Sequence, residues 1–585
     1  MSFYDDASWL LIPSGIEEDV VYAQKPTSGL GDLTFTRASD ATYTDSTGVV
    51  RRSPYNLLTF SEDLSNVAWQ KLFASISSNV TTAPNGLLTA DKLVEDTTNA
   101  SHTIFQTISI SASTNYNYSV YLKAAERFRF RIRFTGFSGA QDNSVDLNLG
   151  TAFAGTLTSV GNGWFRLTWP INSGTGAGSP LVAITLQDAS GNSTYLGNGT
   201  SGAFIWGAQL VEGTSALDYF PTTNRQDVPR IDFRNADGTL SSCGRLLLEP
   251  QRTNSIRNSS MVGAVAGTPG TLPTNYGEYL SGLTRTVAGI GTENGVPYID
   301  LRFNGTASDT IILINFETTS GISALNGQNW SNSFYVKTIA TPQPPLKYAL
   351  RSTQRSSGSN VGSFILEFTP TTTLARYTQT FTTNNATITH IQPYISFDLT
   401  IGQTYDFTIR IAAPQMELGA YATTFIPTTT AAVTRLADSA VKEGVPSLIG
   451  QSEGTLYFEG FCQDSSELMN VNRSTVNSVF LLMSSGIIRA TIYANSTTFS
   501  LTSSVSGLNY FKAAVAYKSN SFALYVNGVL AAQNTTATFT PNVQMSRIDI
   551  ATGNYVTGKN TVNCAQAALF PTRLDNAQLA QLTTL

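Results

Sequence analysis

At 585 residues, with a net charge of −5 and a pI near 5.3, the chain is too long for one core and holds no basic run able to track a phosphate backbone, so nucleic acid is excluded as the expected partner. Charged residues supply only 13% of the sequence, about half the usual share, against 41% hydrophobic and 10% aromatic. Thr, Ser, Asn and Gly fill the gap, which is the surface chemistry of β-rich extracellular or virion proteins and leaves little material for long solvated helices. No apolar stretch approaches the roughly 20 residues that span a bilayer. The opening Met1-Ser-Phe-Tyr-Asp-Asp lacks the basic start and apolar core of a signal peptide. Cys243, Cys462 and Cys564 are odd in number and far apart, and read as free thiols of a protein folded in a reducing cytosol.

Residues 1–55 read as a separate segment with one apolar run, Trp9-Leu-Leu-Ile-Pro13, and a short strand at Leu33-Thr-Phe-Thr36. So short a piece cannot bury a core alone, and it is expected to pack on a neighbour or another subunit. Residues 56–225 form a first module rich in period-two strands: Tyr116–Leu122, Trp164–Trp169 and, most regular, Arg127–Phe134. Turn clusters such as Gly161-Asn-Gly163 separate them, as in an antiparallel sandwich. A linker at 226–250 leads to a second module at 251–430, and a Thr/Ala-rich joint at 431–451 leads to a third at 452–585. There Phe522–Val526 runs into Asn527-Gly528, a strong hairpin signal. At the end, Asp575 with Gln578 reads as a capping box, and Leu574 with Leu579 as a hydrophobic staple, for a helix from Asn576 to about Leu582.

The first two modules share a phrase. Gly207-Ala-Gln-Leu210 closes at Pro221-Thr-Thr223, and Ala413-Pro-Gln-Met416 closes at Pro427-Thr-Thr429, with twelve positions from Gln to Pro in both. Gly213 matches Gly419, Ala216 matches Ala422, Tyr219 matches Phe425, and Ser119-Val-Tyr121-Leu-Lys123 echoes Ser333-Phe-Tyr335-Val-Lys337. Fixed-spacing self-similarity marks two copies of one unit.

Catalytic signals are sparse. His102 and His390 lie in different modules with no Cys nearby, and Glu62, Asp63, Asp218, Asp232 and Glu417 fall in no pattern that pairs two carboxylates for glycoside cleavage. The chain is therefore expected not to be an enzyme and to need no cofactor. Strand alternation places Arg127, Arg129, Arg131 and Arg133 on one face, able to hold an acidic sugar or a neighbouring acidic surface, with cross-strand pairing to carboxylates or stacking on Tyr rings within the module as the favoured reading. Trp69 and Trp330 stand in polar surroundings and are candidates for stacking on sugar rings, whereas Trp164, Trp169 and Trp206 read as core.

Thr34-Phe-Thr-Arg-Ala-Ser-Asp-Ala-Thr42, Asn56-Leu-Leu-Thr-Phe-Ser-Glu-Asp63 with Trp69, Leu246-Leu-Leu-Glu-Pro-Gln-Arg-Thr-Asn254 and the repeated Gln…Pro-Thr-Thr closer together resemble tailed-phage virion appendage proteins, the tail-fibre and head-fibre family, over roughly residues 1–440. The second copy departs from the first, with Ser255-Ile256-Arg257 in place of Leu57-Leu58-Thr59 and no early Trp. The resemblance implies two jelly-roll sandwiches like carbohydrate-binding modules and a final laminin-G or concanavalin-like sandwich. It implies a virion structural protein, made in the host cytoplasm, that attaches to host-surface polysaccharide. Residues 1–55 would then contact other virion proteins, and the whole would assemble as a homo-oligomer, a trimer by preference. A purely structural decoration protein and a polysaccharide depolymerase are the alternatives. Jelly-roll and laminin-G modules also accommodate structural calcium, though no Asp/Asn loop here has the ligand spacing.

Overall fold

The alternating runs of the sequence become three two-layer sandwiches of antiparallel sheets in the computed structural model, which describes residues 3–110, 114–137, 141–174, 180–213, 215–340, 345–463, 465–472, 476–495, 497–504, 509–551 and 560–585. Residues Arg51–Gln226 form one compact unit, and Met1–Val50 with Asp227–Leu585 form another.

Within the first unit, one sheet orders its strands as Thr156–Gly161, Trp164–Asn172, Asn115–Lys123, Gly202–Glu212, Ala90–Glu95 and Ala74–Thr81. The facing sheet contains Arg129–Thr135 between Gln141–Asp146 and Leu181–Gln187. Phe130, Ile132 and Phe134 fill the space between the sheets with Tyr118, Val120, Leu122 and Trp69. The jelly-roll of the second unit repeats this order without a counterpart of Thr156–Gly161: Ala375–Thr382, Asn329–Ala340, Thr404–Leu418, Val296–Thr306 and Leu283–Glu293 in one sheet, with Ser359–Phe368, Lys347–Ser356, His390–Asp398, Ile311–Asn315 and Gly277–Tyr279 in the other.

The shared phrase has a mechanical cause. Gln209 Oε1 accepts from the Phe220 amide at 2.9 Å while its Nε2 donates to the carbonyls of Leu217 and Asp218 at 3.3 and 3.2 Å. Gln415 does the same with the Ile426 amide at 2.7 Å and the Thr423 and Thr424 carbonyls at 3.4 and 3.2 Å. Each Gln thus folds the closing loop back on its own strand, which fixes the spacing between Gln and Pro. Asn56 and Asn254 act as matching clasps: Asn56 Oδ1 takes the amides of Leu58 and Leu210, and Asn254 Oδ1 those of Ile256 and Met416. Ile256 therefore sits in its core as Leu58 does in the other, despite the local change of sequence. Just before each Gln the strand bulges, with Gly207 at φ 63° and Ala413 at φ 46°. The left-handed conformation is free for the glycine and strained for the alanine.

The third sandwich differs from the expected boundaries in what builds it. Trp9–Leu11 pairs with Ala567–Leu569, and Leu240–Leu248 pairs on the same strand at Val562–Cys564. Ile16–Glu17, Val20–Val21, Leu33–Thr36 and Ser439–Lys442 extend the opposite sheet toward Ile548–Ile550. Trp9, Leu11, Val21, Leu33 and Phe35 are fully buried in one core with Leu456, Phe458, Val515 and Leu569. The apolar N-terminal run, expected to seek cover on another protein, is covered within its own chain. The reason is pairing geometry: the strand Val562–Phe570 takes partners about 560 residues away in sequence, a distance across which no local pattern speaks.

The terminal helix spans Asn576–Thr583, with the Asp575 side chain accepting from the Gln578 amide and the Gln578 side-chain oxygen accepting from the Asp575 amide. Leu574, Leu579 and Leu582 seat it on Tyr457, Ala514 and Ala516, on the outer face of the sheet. Asn527 and Gly528, at φ 49° and 81°, make the expected hairpin turn before Val529–Asn534.

Candidate functional site

The arginine ladder faces one side of its sheet, and each member meets a carboxylate. Arg127, just before the strand, forks onto Glu95 with two bonds of 2.7 Å and lies 4.9 Å from the Tyr195 ring centre. Arg129 reaches Asp146 at 2.8 Å, while Arg131 and Arg133 share Asp142 at 2.7 and 3.1 Å. The cross-strand partner therefore satisfies the charge that a ligand would otherwise meet. Trp69 is wholly buried, its indole donating to the carbonyls of Thr59 and Phe60, and Trp330 is 3% exposed inside the second jelly-roll core. Neither ring face is open to a sugar; the polar residues flanking each in sequence belong to turns and strand ends, while the indole itself points inward. Two of the carboxylates considered for catalysis are also engaged. Asp232 accepts the amides of Thr44 and Arg234, and Glu417 accepts from Gln415 and Thr423.

In the second unit, three of the phrases that marked the sequence meet in a buried charge cluster. Glu249 lies 2.6 Å from Arg230 and 2.7 Å from Arg435, and it also takes the Thr424 amide and hydroxyl. Asp438 binds Arg230 on one oxygen and Arg37 on the other, the latter at 2.8 Å. All five side chains are at most 1% exposed. Burial pushes the Glu249 carboxyl up, but the guanidinium groups of Arg435 and Arg230 and the bonds from Thr424 outweigh it and hold the group at about 2. Burial lowers Arg37 to about 10, which leaves it charged at neutral pH. The cluster spends its charges on itself and welds five separate segments together.

Beside it lies a cleft of about 150 Å³, walled by Tyr335, Phe425 and Phe461 and floored by Asp232, Thr561 and Asn563. At about 30 Å³ per water, that is room for about five waters or one sugar ring. The Asn563 carbonyl oxygen and the Thr561 hydroxyl are buried without a hydrogen-bond partner, in side chains 4% and 8% exposed. Each such group costs about 1–3 kcal/mol while it stays without a partner. Two arginines face the cleft. Arg376 donates to the Thr423 carbonyl and Ser333 hydroxyl and lies over Tyr335, an arrangement that Arg166 repeats with Leu217, Ser119 and Tyr121 in the other unit. Its role is that of a strut common to both copies. Arg234 has no counterpart of that kind: its Nε donates to the Thr44 hydroxyl at 3.4 Å, and among the described residues its two amino groups have no carboxylate within ion-pairing distance. Burial raises the neighbouring Asp232 carboxyl, against the amides of Thr44 and Arg234 that hold it down.

The cleft draws residues from positions 42–50, 232–249, 335, 376, 422–425, 461–463 and 561–563. No spacing in the sequence announces such a set. Among the described residues no three His, Cys, Asp or Glu side chains gather as a metal site would require, and no helix is long and apolar enough to cross a membrane.

No protein-family model matches the sequence, and none of the curated proteins compared matches it. Among solved structures, the chain is similar to the tandem of two CBM22 modules from Paenibacillus barcinonensis Xyn10C, at 11% identity over 62% of this chain and 98% of that one, TM-score 0.22. It is similar also to domains LG4-5 of the mouse laminin α1 chain, at 9% identity over 46% and 89%, TM-score 0.19. Trypanosoma rangeli sialidase aligns at 10% identity over 94% of this chain and 98% of its own, TM-score 0.21. That last likeness corrects the expectation that the chain is not an enzyme, since an enzyme stands among the structures similar to it along nearly its whole length. At TM-scores of 0.19 to 0.22, none of the three assigns a ligand or a reaction.

Proposed function

We propose that this chain is a glycan-binding protein built of tandem β-sandwiches, and that the cleft beside the Glu249 cluster is a binding site. The observation that carries the reading is the pair of buried, unpartnered oxygens on Asn563 and Thr561 among the residues that line the cleft. A sugar ring presents hydroxyl groups at its edge, the kind of donor that such oxygens lack. Carbohydrate-binding modules among the similar structures accord with it. The setting on a tailed-phage particle, and attachment to the host's surface polysaccharide as the purpose, come from the resemblance of the sequence phrases.

A glycan array probed with the full-length protein tests the reading. Retention of one or more glycans by the wild type, lost in Asn563→Leu with an unchanged circular dichroism spectrum, supports it. Retention that is identical in the variant moves the site elsewhere, and no retention favours a structural part of an assembly.

A further inference from the structure

We propose that the cleft selects a sugar bearing a carboxylate, with Arg234 as its anchor; the inference rests on the glycan-binding reading of the same site. The charges facing the cleft are Asp232, Glu249, Arg234 and Arg376. Glu249 is neutralised by Arg230 and Arg435, and Arg376 is held as a strut by a carbonyl and a hydroxyl. Asp232 turns both oxygens to backbone amides, of Thr44 and of Arg234 itself. What remains is a guanidinium fork with its amino groups uncommitted, on a partly buried side chain of a cleft that is also lined by the residues of the two unsatisfied oxygens.

The chemistry of that set is directional. A guanidinium fork matches a planar carboxylate with two parallel bonds, a fit that neutral hydroxyls do not reproduce. The Asn563 carbonyl only accepts, so it calls for a ligand hydroxyl that donates, and the Thr561 hydroxyl serves either way. A ring with an acid group at one end and hydroxyls along the other edge answers all three, and a volume of about 150 Å³ limits the contact to one ring, the end or a side branch of a longer glycan.

The test uses the full-length protein and two probes of the same ring: an oligosaccharide ending in glucuronic acid and its carboxyl-reduced counterpart ending in glucose. Titration calorimetry is expected to show the acid binding about tenfold or more tightly, because a charge-assisted pair is being compared with a neutral one. Arg234→Gln is expected to abolish that preference and Arg234→Lys to keep part of it. Raising NaCl from 50 to 500 mM is expected to weaken the acid and leave the neutral probe unchanged. Equal binding of both probes, still lost in Asn563→Leu, overturns the carboxylate inference while the glycan reading stands. Binding of neither probe nor of any acidic glycan, with a neutral glycan retained on the array, overturns the carboxylate inference alone, and retention of no glycan at all overturns both.

Discussion

Replacing Glu249 by Gln keeps the shape of the side chain and removes its charge from the centre of the buried cluster, which leaves Arg230 sharing Asp438 with Arg37 and leaves Arg435 without a carboxylate at contact distance. Breaking a buried pair on one side costs about 3–5 kcal/mol. The carboxyl moves from an ordinary 4.5 to about 2 on folding, a difference of about 3 kcal/mol at about 1.36 kcal/mol per pH unit, in the same range. Because the folded value is the lower one, this stability is fully present above pH 4.5 and is lost as the pH falls toward 2. Urea unfolding of wild type and Glu249→Gln at pH 7 is expected to differ by about 3–5 kcal/mol, with the gap narrowing at steps below pH 4.5. Glu443→Gln is the control. It removes an ion pair to Arg547 whose carboxylate is 70% exposed, and the expected loss is at most about 1 kcal/mol. A Glu249→Gln cost below about 1 kcal/mol, or a gap that stays constant with pH, would refute the claim that the cluster holds the segments together.

Trp9→Ala removes the largest side chain that the N-terminal strand contributes to the third sandwich and is expected to cost about 3–5 kcal/mol in thermal or urea unfolding. Deleting residues 1–12 uncovers an edge of Val562–Phe570, so hydrogen exchange there should accelerate; retention of full protection would contradict the intramolecular role. Asn254→Ala strands the amides of Ile256 and Met416 and is expected to cost about 2–3 kcal/mol, with Asn56→Ala doing the same in the other copy. Asp575→Ala removes half of the capping box and is expected to lower stability by about 1 kcal/mol, read as a small drop in the unfolding midpoint.

What the sequence disclosed follows the range of the interactions involved. The capping box, the Asn-Gly turn and the inward face of Arg127–Phe134 are set by neighbours a few residues apart, and each is visible in the local pattern. The repeat was visible because Gln209 and Gln415 fix the spacing of their own loops. The destination of Trp9-Leu-Leu was not, since strand pairing over about 560 residues leaves no local trace beyond the apolar run itself. The phrases that carry the resemblance have a physical content in the structure: Arg37, Glu249 and the closing Thr424 converge on one charge cluster. The Trp candidates failed because a polar neighbourhood in sequence says little about which way an indole points. The cleft escaped notice altogether, as Arg234, Thr561 and Asn563 come from strands whose proximity exists only after folding.

The measurement closest to the central claim is a crystal structure of the full-length protein grown or soaked with an oligosaccharide ending in glucuronic acid. The expected result is one sugar ring in the cleft, its carboxylate on the Arg234 fork and a hydroxyl on Asn563. A ring bound on another surface, with this cleft holding none at saturating ligand, would contradict the assignment of the site.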